Sequence, residues 1–192
     1  MKLYLLRHEE SKAQTEEQFS FDSDLSEFGI TSLNSVSREL SFDRVYISPL
    51  RRCRQTYENL SIVSDEVSFD ARLVEELPPN TYREYLFPYE ELPAYASDTL
   101  LEDWDLHIEE RVSSFYKEEL LPVLSKELSI LIIAHAGTFN YLAKKIFISN
   151  KNMEIKFKMF NGAISLFEFD ENSILTLNYW NIKLNQLESL GI

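Results

Sequence analysis

Two short apolar runs, Lys2 to Leu6 and Ser129 to Ala134, each stop abruptly beside a histidine, and this limits the fold more than any other feature. The first run is too short for a helix core and ends without Pro or Gly, so it reads as a buried strand; the second is the strongest strand signal in the chain. His8 and His135 then stand at the carboxyl ends of two strands. A third run, Asp43 to Ile47, leads into Ser48, Pro49, Leu50, Arg51 and Arg52. Pro is well tolerated in a first helical turn, so a helix from about Leu50 to Ile62 is expected to open at that strand's end. Ligands of open α/β sheets bind outside the carboxyl ends of strands. Should these strands be neighbours, His8, His135, Arg52 and Arg7 meet in one crevice.

The remaining chain alternates in the same way. Residues 9–24 read as a polar loop, and Ser26 can cap a helix from Glu27 to about Leu40, with Leu33, Val36 and Leu40 sharing a face. Glu66 to Phe69 reads as a strand. The stretch 77–98 holds Pro78, Pro79, Pro88 and Pro93 with Tyr82, Tyr85, Tyr89 and Tyr95, and reads as an irregular lid or insertion. Glu102 to about Leu121 has the apolar stripe of an amphipathic helix, Trp104, Ile108, Val112 and Phe115, with Pro122 marking a stop or kink. A helix follows from about Phe139 to Ile148. Two strands, Ile164 to Asp170 and Ser173 to Asn181, close the chain as a hairpin. The expected fold is α/β in three layers, a mostly parallel central sheet with helices on both faces and a C-terminal hairpin.

Composition removes some partners. With 192 residues, 44% of them hydrophobic, the chain suits a single domain spanning 1–192 with a proper core. A net charge of -13 disfavours nucleic acid and anionic membranes, both of which are bound through clustered Lys and Arg. It does not disfavour a small anion, because fields between exposed charges fade over about 8 Å at physiological salt. A single cysteine, no signal-type apolar start and no run near ~18 apolar residues lead to the expectation of a soluble cytoplasmic protein.

Two arginines and two imidazoles around one point form the donor set that a phosphoryl group in transfer requires, its charge spread over three oxygens. A neutral imidazole can attack phosphorus itself, provided one ring nitrogen is held as a donor so that the other keeps its lone pair. The leaving oxygen then needs a proton, and Glu75 and Glu76 are the candidate acids. His107 reads as a solvated helix residue, Cys53 as a small buried one whose pKa nearby arginines can lower, and Lys12, Arg51 and Arg54 as rim charges.

The segments LLRHEES at 5–11, SPLRRCRQT at 48–56, DARLVEE at 70–76 and IIAHAGT at 132–138, with LSEFG at 25–29 and FNGAISLFEFD at 160–170, resemble the histidine phosphatase superfamily, also called phosphoglycerate mutase-like. The resemblance implies that His8 is phosphorylated during the reaction and that Arg7, Arg52 and His135 bind the phosphoryl group. It selects Glu75 over Glu76 as the proton donor and gives Gln14 a weaker phosphate-binding role, since many members carry an asparagine there. It implies a phosphatase with no metal and no cofactor, acting on a small phosphorylated metabolite or a phosphorylated protein. Two positions depart from the family pattern: Glu9 replaces the glycine after the nucleophile, and Ala136 the first glycine after the second histidine. A carboxylate at residue 9 either repels substrate or points away into solvent. Phosphoglycerate mutase-type transfer is the alternative reaction, and a phosphate-binding module without catalysis is the alternative class.

Overall fold

The structure is a computed structural model that describes residues 1–15, 22–75, 108–147, 157–172 and 174–187. In chain order its elements are β1 (Lys2–Arg7), α1 (Lys12–Thr15), α2 (Glu27–Asn34), β2 (Leu40–Ile47), α3 (Arg51–Glu58), β3 (Ile62–Phe69), α4 (Ile108–Phe115), β4 (Ser129–Ala134), α5 (Ala136–Phe147), β5 (Ala163–Phe169) and β6 (Leu175–Lys183). The six strands form one sheet in the order β3-β2-β4-β1-β5-β6. The pairs β2–β3, β2–β4 and β1–β4 are parallel; β5 runs antiparallel to β1, and β6 antiparallel to β5.

Side chains alternate across a strand, so each central strand supplies both layers of the core. Leu3 and Leu5 of β1 with Ile130 and Ile132 of β4 meet Ile108, Val112 and Phe115 of α4 and Phe139 and Leu142 of α5 on one face. Leu6, Val45, Ile47, Leu131 and Ile133 meet Leu33 of α2 and Cys53 of α3 on the other. The expected three-layer α/β fold with a C-terminal hairpin is therefore present, with β4 and β1 buried at the middle.

Several boundaries differ from the sequence expectation. The helix at 27 ends at Asn34 and is closed by Ser35, whose N–H reaches the carbonyls of Thr31 and Ser32. Leu40 belongs instead to β2, where it pairs with Ile62, and Ile62 opens β3 rather than ending α3. Ladder pairing outweighs the helical spacing of Leu33, Val36 and Leu40. The loop at 9–24 contains α1, and Ser11 bridges Leu25. The helix expected from Glu102 is described from Ile108; past Phe115 it widens into a π-turn at Tyr116–Leu120 and tightens into a 3₁₀ turn, Leu121–Val123, at Pro122. The stretch 77–98, Trp104, His107 and Ile148 lie outside the described residues.

Layer assignment can be checked by truncation. Ile132→Ala, at a position with 0% exposure, should cost about 2–5 kcal/mol in urea unfolding. Leu177→Ala on edge strand β6, 43% exposed, should stay within about 0.5 kcal/mol. Equal losses would contradict the burial of β4 between two helical layers.

Candidate active site

The sheet order decides which side chains meet. β4 lies between β1 and β2, and backbone bonding continues past their ends: His8 N–H donates to the Ala134 carbonyl at 3.1 Å, Ser48 N–H to that of Ile133 at 2.9 Å. His8, His135 and Ser48 thus leave three adjacent strands side by side. Arg52 comes from the first turn of α3, which Leu50 starts in extended conformation. The rings of His8 and His135 lie 5.1 Å apart, and Arg52 Nε donates to His8 Nε2 at 3.2 Å. His8, His135 and Arg52 are all buried.

The hydrogen bonds fix the nucleophile candidate's orientation. His8 Nδ1 lies 2.7 Å from the Glu9 carbonyl oxygen, which only accepts, so Nδ1 carries the proton and Nε2 keeps a lone pair. The residue that supplies this carbonyl is itself tied down: Glu9 N–H donates to Thr56 Oγ1, which donates to the Arg52 carbonyl. His135 Nε2 sits 2.8 Å from Ser48 Oγ and 3.5 Å from Cys53 Sγ. Burial first, then the neighbouring Arg52 and Arg7 guanidiniums, push the His8 pKa well below the ordinary histidine value. Burial and Arg52 do the same to His135, with His8 and Arg7 contributing. Both shifts favour the neutral ring.

Arg7 Nη1 donates to the Met159 carbonyl at 2.5 Å. Burial lowers the pKa of both guanidiniums, and the negative charge of Glu75 opposes that shift at Arg7 and at Arg52. Glu75 is therefore within electrostatic reach of both arginines. The segment before it is fastened from two helices. Arg111 of α4, 3% exposed, donates through Nη1 to the carbonyls of Ala71, Arg72 and Val74, and Thr138 of α5 donates to those of Leu73 and Val74. Glu76 lies outside the described residues.

The sequence reading missed Ser48, Thr56, Arg111 and Thr138 as supports. Thr56 and Thr138 lie within the quoted motifs, and Arg111 had no signal beyond being a cation on the stripe side of a helix. Gln14 is engaged elsewhere: its Oε1 accepts from Ser11 N–H, Ser11 Oγ and Asn161 Nδ2, and its Nε2 donates to Asn161. Glu9 does not point into solvent. It is 1% exposed and packs on Gly162, with Lys183 Nζ 3.8 Å from Oε1. The Cys53 thiol is pushed up in pKa, because burial outweighs the attraction of Arg52. Arg51 pairs with Asp22 and Arg54 with Glu58, while Lys12 is exposed. Among the described residues, no three or more His, Cys, Asp or Glu side chains are grouped to hold a metal ion, and no helix is long and apolar enough to cross a membrane.

Two imidazoles and two guanidiniums thus come together at the carboxyl ends of neighbouring parallel strands of an α/β fold. The chain belongs to the histidine phosphatase superfamily, branch 1, whose sequence model matches residues 3–183. Similar solved structures include the alpha-ribazole phosphatase of Shigella flexneri, at 21% identity and TM-score 0.66 over 94% of this chain and 96% of that one. A mutant phosphoserine phosphatase of Entamoeba histolytica, in complex with phosphoserine, has 21% identity and TM-score 0.62 over 94% and 96%. A mycobacterial glucosyl-3-phosphoglycerate phosphatase with inorganic phosphate has 20% identity and TM-score 0.56 over 96% and 98%. These likenesses are of fold. Among curated proteins none matches.

The buried neutral histidines predict a pH dependence of stability. In the unfolded chain they titrate near ~6.5, and in the fold lower. As pH falls below about 6.5 the unfolded chain takes up protons that the folded chain refuses, so their contribution is present above that pH and lost beneath it. The difference in urea midpoint between wild type and His135→Asn should shift against wild type between about pH 7 and pH 5.5. A difference that is constant or moves toward wild type would contradict the buried neutral state.

Proposed function

We propose that this protein is a metal-independent phosphomonoesterase that acts on small phosphorylated molecules through a phosphohistidine on His8. The observation that carries this is the state of His8: Nδ1 bound to the Glu9 carbonyl, Nε2 with its lone pair beside Arg52 Nε, and His135 across the crevice. His8 Nε2 attacks phosphorus and the bond to the leaving oxygen breaks; Glu75, which takes up a proton as the negatively charged phosphate enters beside it, gives that oxygen its proton and is left as the carboxylate. A phosphoryl oxygen takes over the Arg52 donor that Nε2 accepts from in the structure, and Arg7 and a His135 N–H serve the other oxygens. Water, deprotonated by Glu75, then attacks the phosphohistidine and releases phosphate, leaving His8 neutral again.

Similar structures are named as phosphatases for phosphoserine, alpha-ribazole and glucosyl-3-phosphoglycerate, which favours a small substrate over a phosphoprotein. The burial of Glu9 against Lys183 and Gly162 counts against the non-catalytic module, since the departure from the motif glycine is accommodated rather than left facing the anion.

Turnover of an aryl phosphate should be unchanged by EDTA, and His8→Ala should abolish both turnover and acid-labile phosphoenzyme. Label persisting in His8→Ala would refute the nucleophile. Glu75→Gln should slow alkyl phosphates by about 10²–10⁴-fold and aryl phosphates, whose leaving groups need little proton help, far less. Equal slowing of both in phosphoenzyme formation would remove Glu75 from the acid role. Because His8 titrates below the ordinary histidine value, kcat/KM should hold on the acid side past about pH 6.5 before it falls.

A further inference from the structure

Glu9 is a charged residue buried next to the nucleophile candidate, and the mechanism above uses only its backbone. Its side chain fits against one glycine. A Cβ built on Gly162 would collide with Glu9 Oε2 and lie 2.6 Å from Cδ, so only glycine leaves room for the carboxylate. Gly162 also has a left-handed φ of 61°, and its N–H reaches the carbonyls of Arg7 and His8 at 3.1 and 3.2 Å. The turn carrying it is held to the same corner by Lys183, whose Nζ donates to the Asn161 carbonyl and stands 3.8 Å from Glu9 Oε1. Burial pushes the Glu9 pKa up; the groups acting on it are Lys183 at the end of β6, Glu10 beside it and the Ser32 hydroxyl on α2. From β1, Arg7 feels its charge.

We propose that the Glu9 side chain is a positioning residue: wedged between Gly162 and Lys183, it locks the peptide whose carbonyl holds the Nδ1 proton of His8. The nucleophilic role of His8 rests on the function proposed above, but the locking does not. A residue at position 9 without a side chain has more backbone freedom, and every rotation of its carbonyl loosens the bond that selects the His8 tautomer. In this chain the side chain removes that freedom by shape, and Lys183 offsets the charge that shape buries. Positions 9 and 162 are therefore one unit, in which the bulk at one requires its absence at the other.

The test is a double-mutant cycle on Glu9→Gly and Gly162→Ala, read by ¹⁵N NMR of the His8 ring and by phosphoenzyme formation from para-nitrophenyl phosphate. Glu9→Gly should turn a single Nδ1–H tautomer into a mixture and slow phosphoenzyme formation about tenfold with little change in KM. Glu9→Gln, which keeps the shape, should recover most of that loss. Gly162→Ala should be harmful with Glu9 in place and much less so in the Glu9→Gly background; the strain of a left-handed alanine is common to both backgrounds and cancels in the cycle. Lys183→Met, at a half-exposed position, removes the countercharge alone and should act in the same direction with smaller size. A His8 tautomer unchanged by Glu9→Gly, or a Gly162→Ala effect equally large in both backgrounds, would overturn the proposal. Absence of any phosphoenzyme in wild type would remove the phosphatase reading instead, and the tautomer arm then decides the locking by itself.

Discussion

Two guanidiniums and two imidazoles share one buried site, and their removal from water, reinforced by their mutual repulsion, governs the chemistry there. In a poorly solvated space, four adjacent positive charges would be prohibitive. The arginines stay charged, since their intrinsic pKa is far above neutrality, and burial together with these charges favours the neutral form of both imidazoles. A nucleophilic lone pair on His8 thus follows from burial first and then from the nearby Arg52 and Arg7, with the Glu9 carbonyl selecting Nε2 as its place. Glu75 and the Met159 carbonyl offset the cost of burying the guanidiniums. Local concentration of positive charge coexists with a net charge of -13, because the acidic surface is screened and the crevice is not.

That placement follows from strand register. Arg7 pairs with Ala134 across β1 and β4, and Ile47 with Ile133 across β2 and β4. Slipping either pairing by one residue would send the apolar set to the wrong face, so the hydrophobic layers that stabilise the fold also align His8, His135 and Ser48. The fourth corner is set differently. Glu75 follows a segment with little regular structure, and its backbone is held by Arg111 and Thr138 from the two helices packed over it. A buried cation bonded to several carbonyls makes an irregular segment as well defined as a strand end.

The central strands and the crevice were legible because their signals are local: apolar runs ending in His8 and His135, and a proline-started helix carrying Arg52. The edges were less so. Leu40 and Ile62 pair only with each other's strands, and nothing near either in sequence distinguishes a strand start from a helix end. That Glu9 is buried and does not point into solvent was illegible for a related reason. The feature that accommodates it, a glycine with positive φ at 162, lies on the far side of the chain, and their fit exists only after β5 has paired with β1. Gln14 matched a motif position, yet its amide is engaged by Asn161 and Ser11.

A structure determined with orthovanadate, which adopts the five-coordinate geometry of a phosphoryl group in transfer, tests the central claim most directly. Vanadium should sit on His8 Nε2, with equatorial oxygens on Arg7, Arg52 and His135 and the apical oxygen toward Glu75. Vanadate bound elsewhere, or bound in the crevice without a bond to His8, would contradict it.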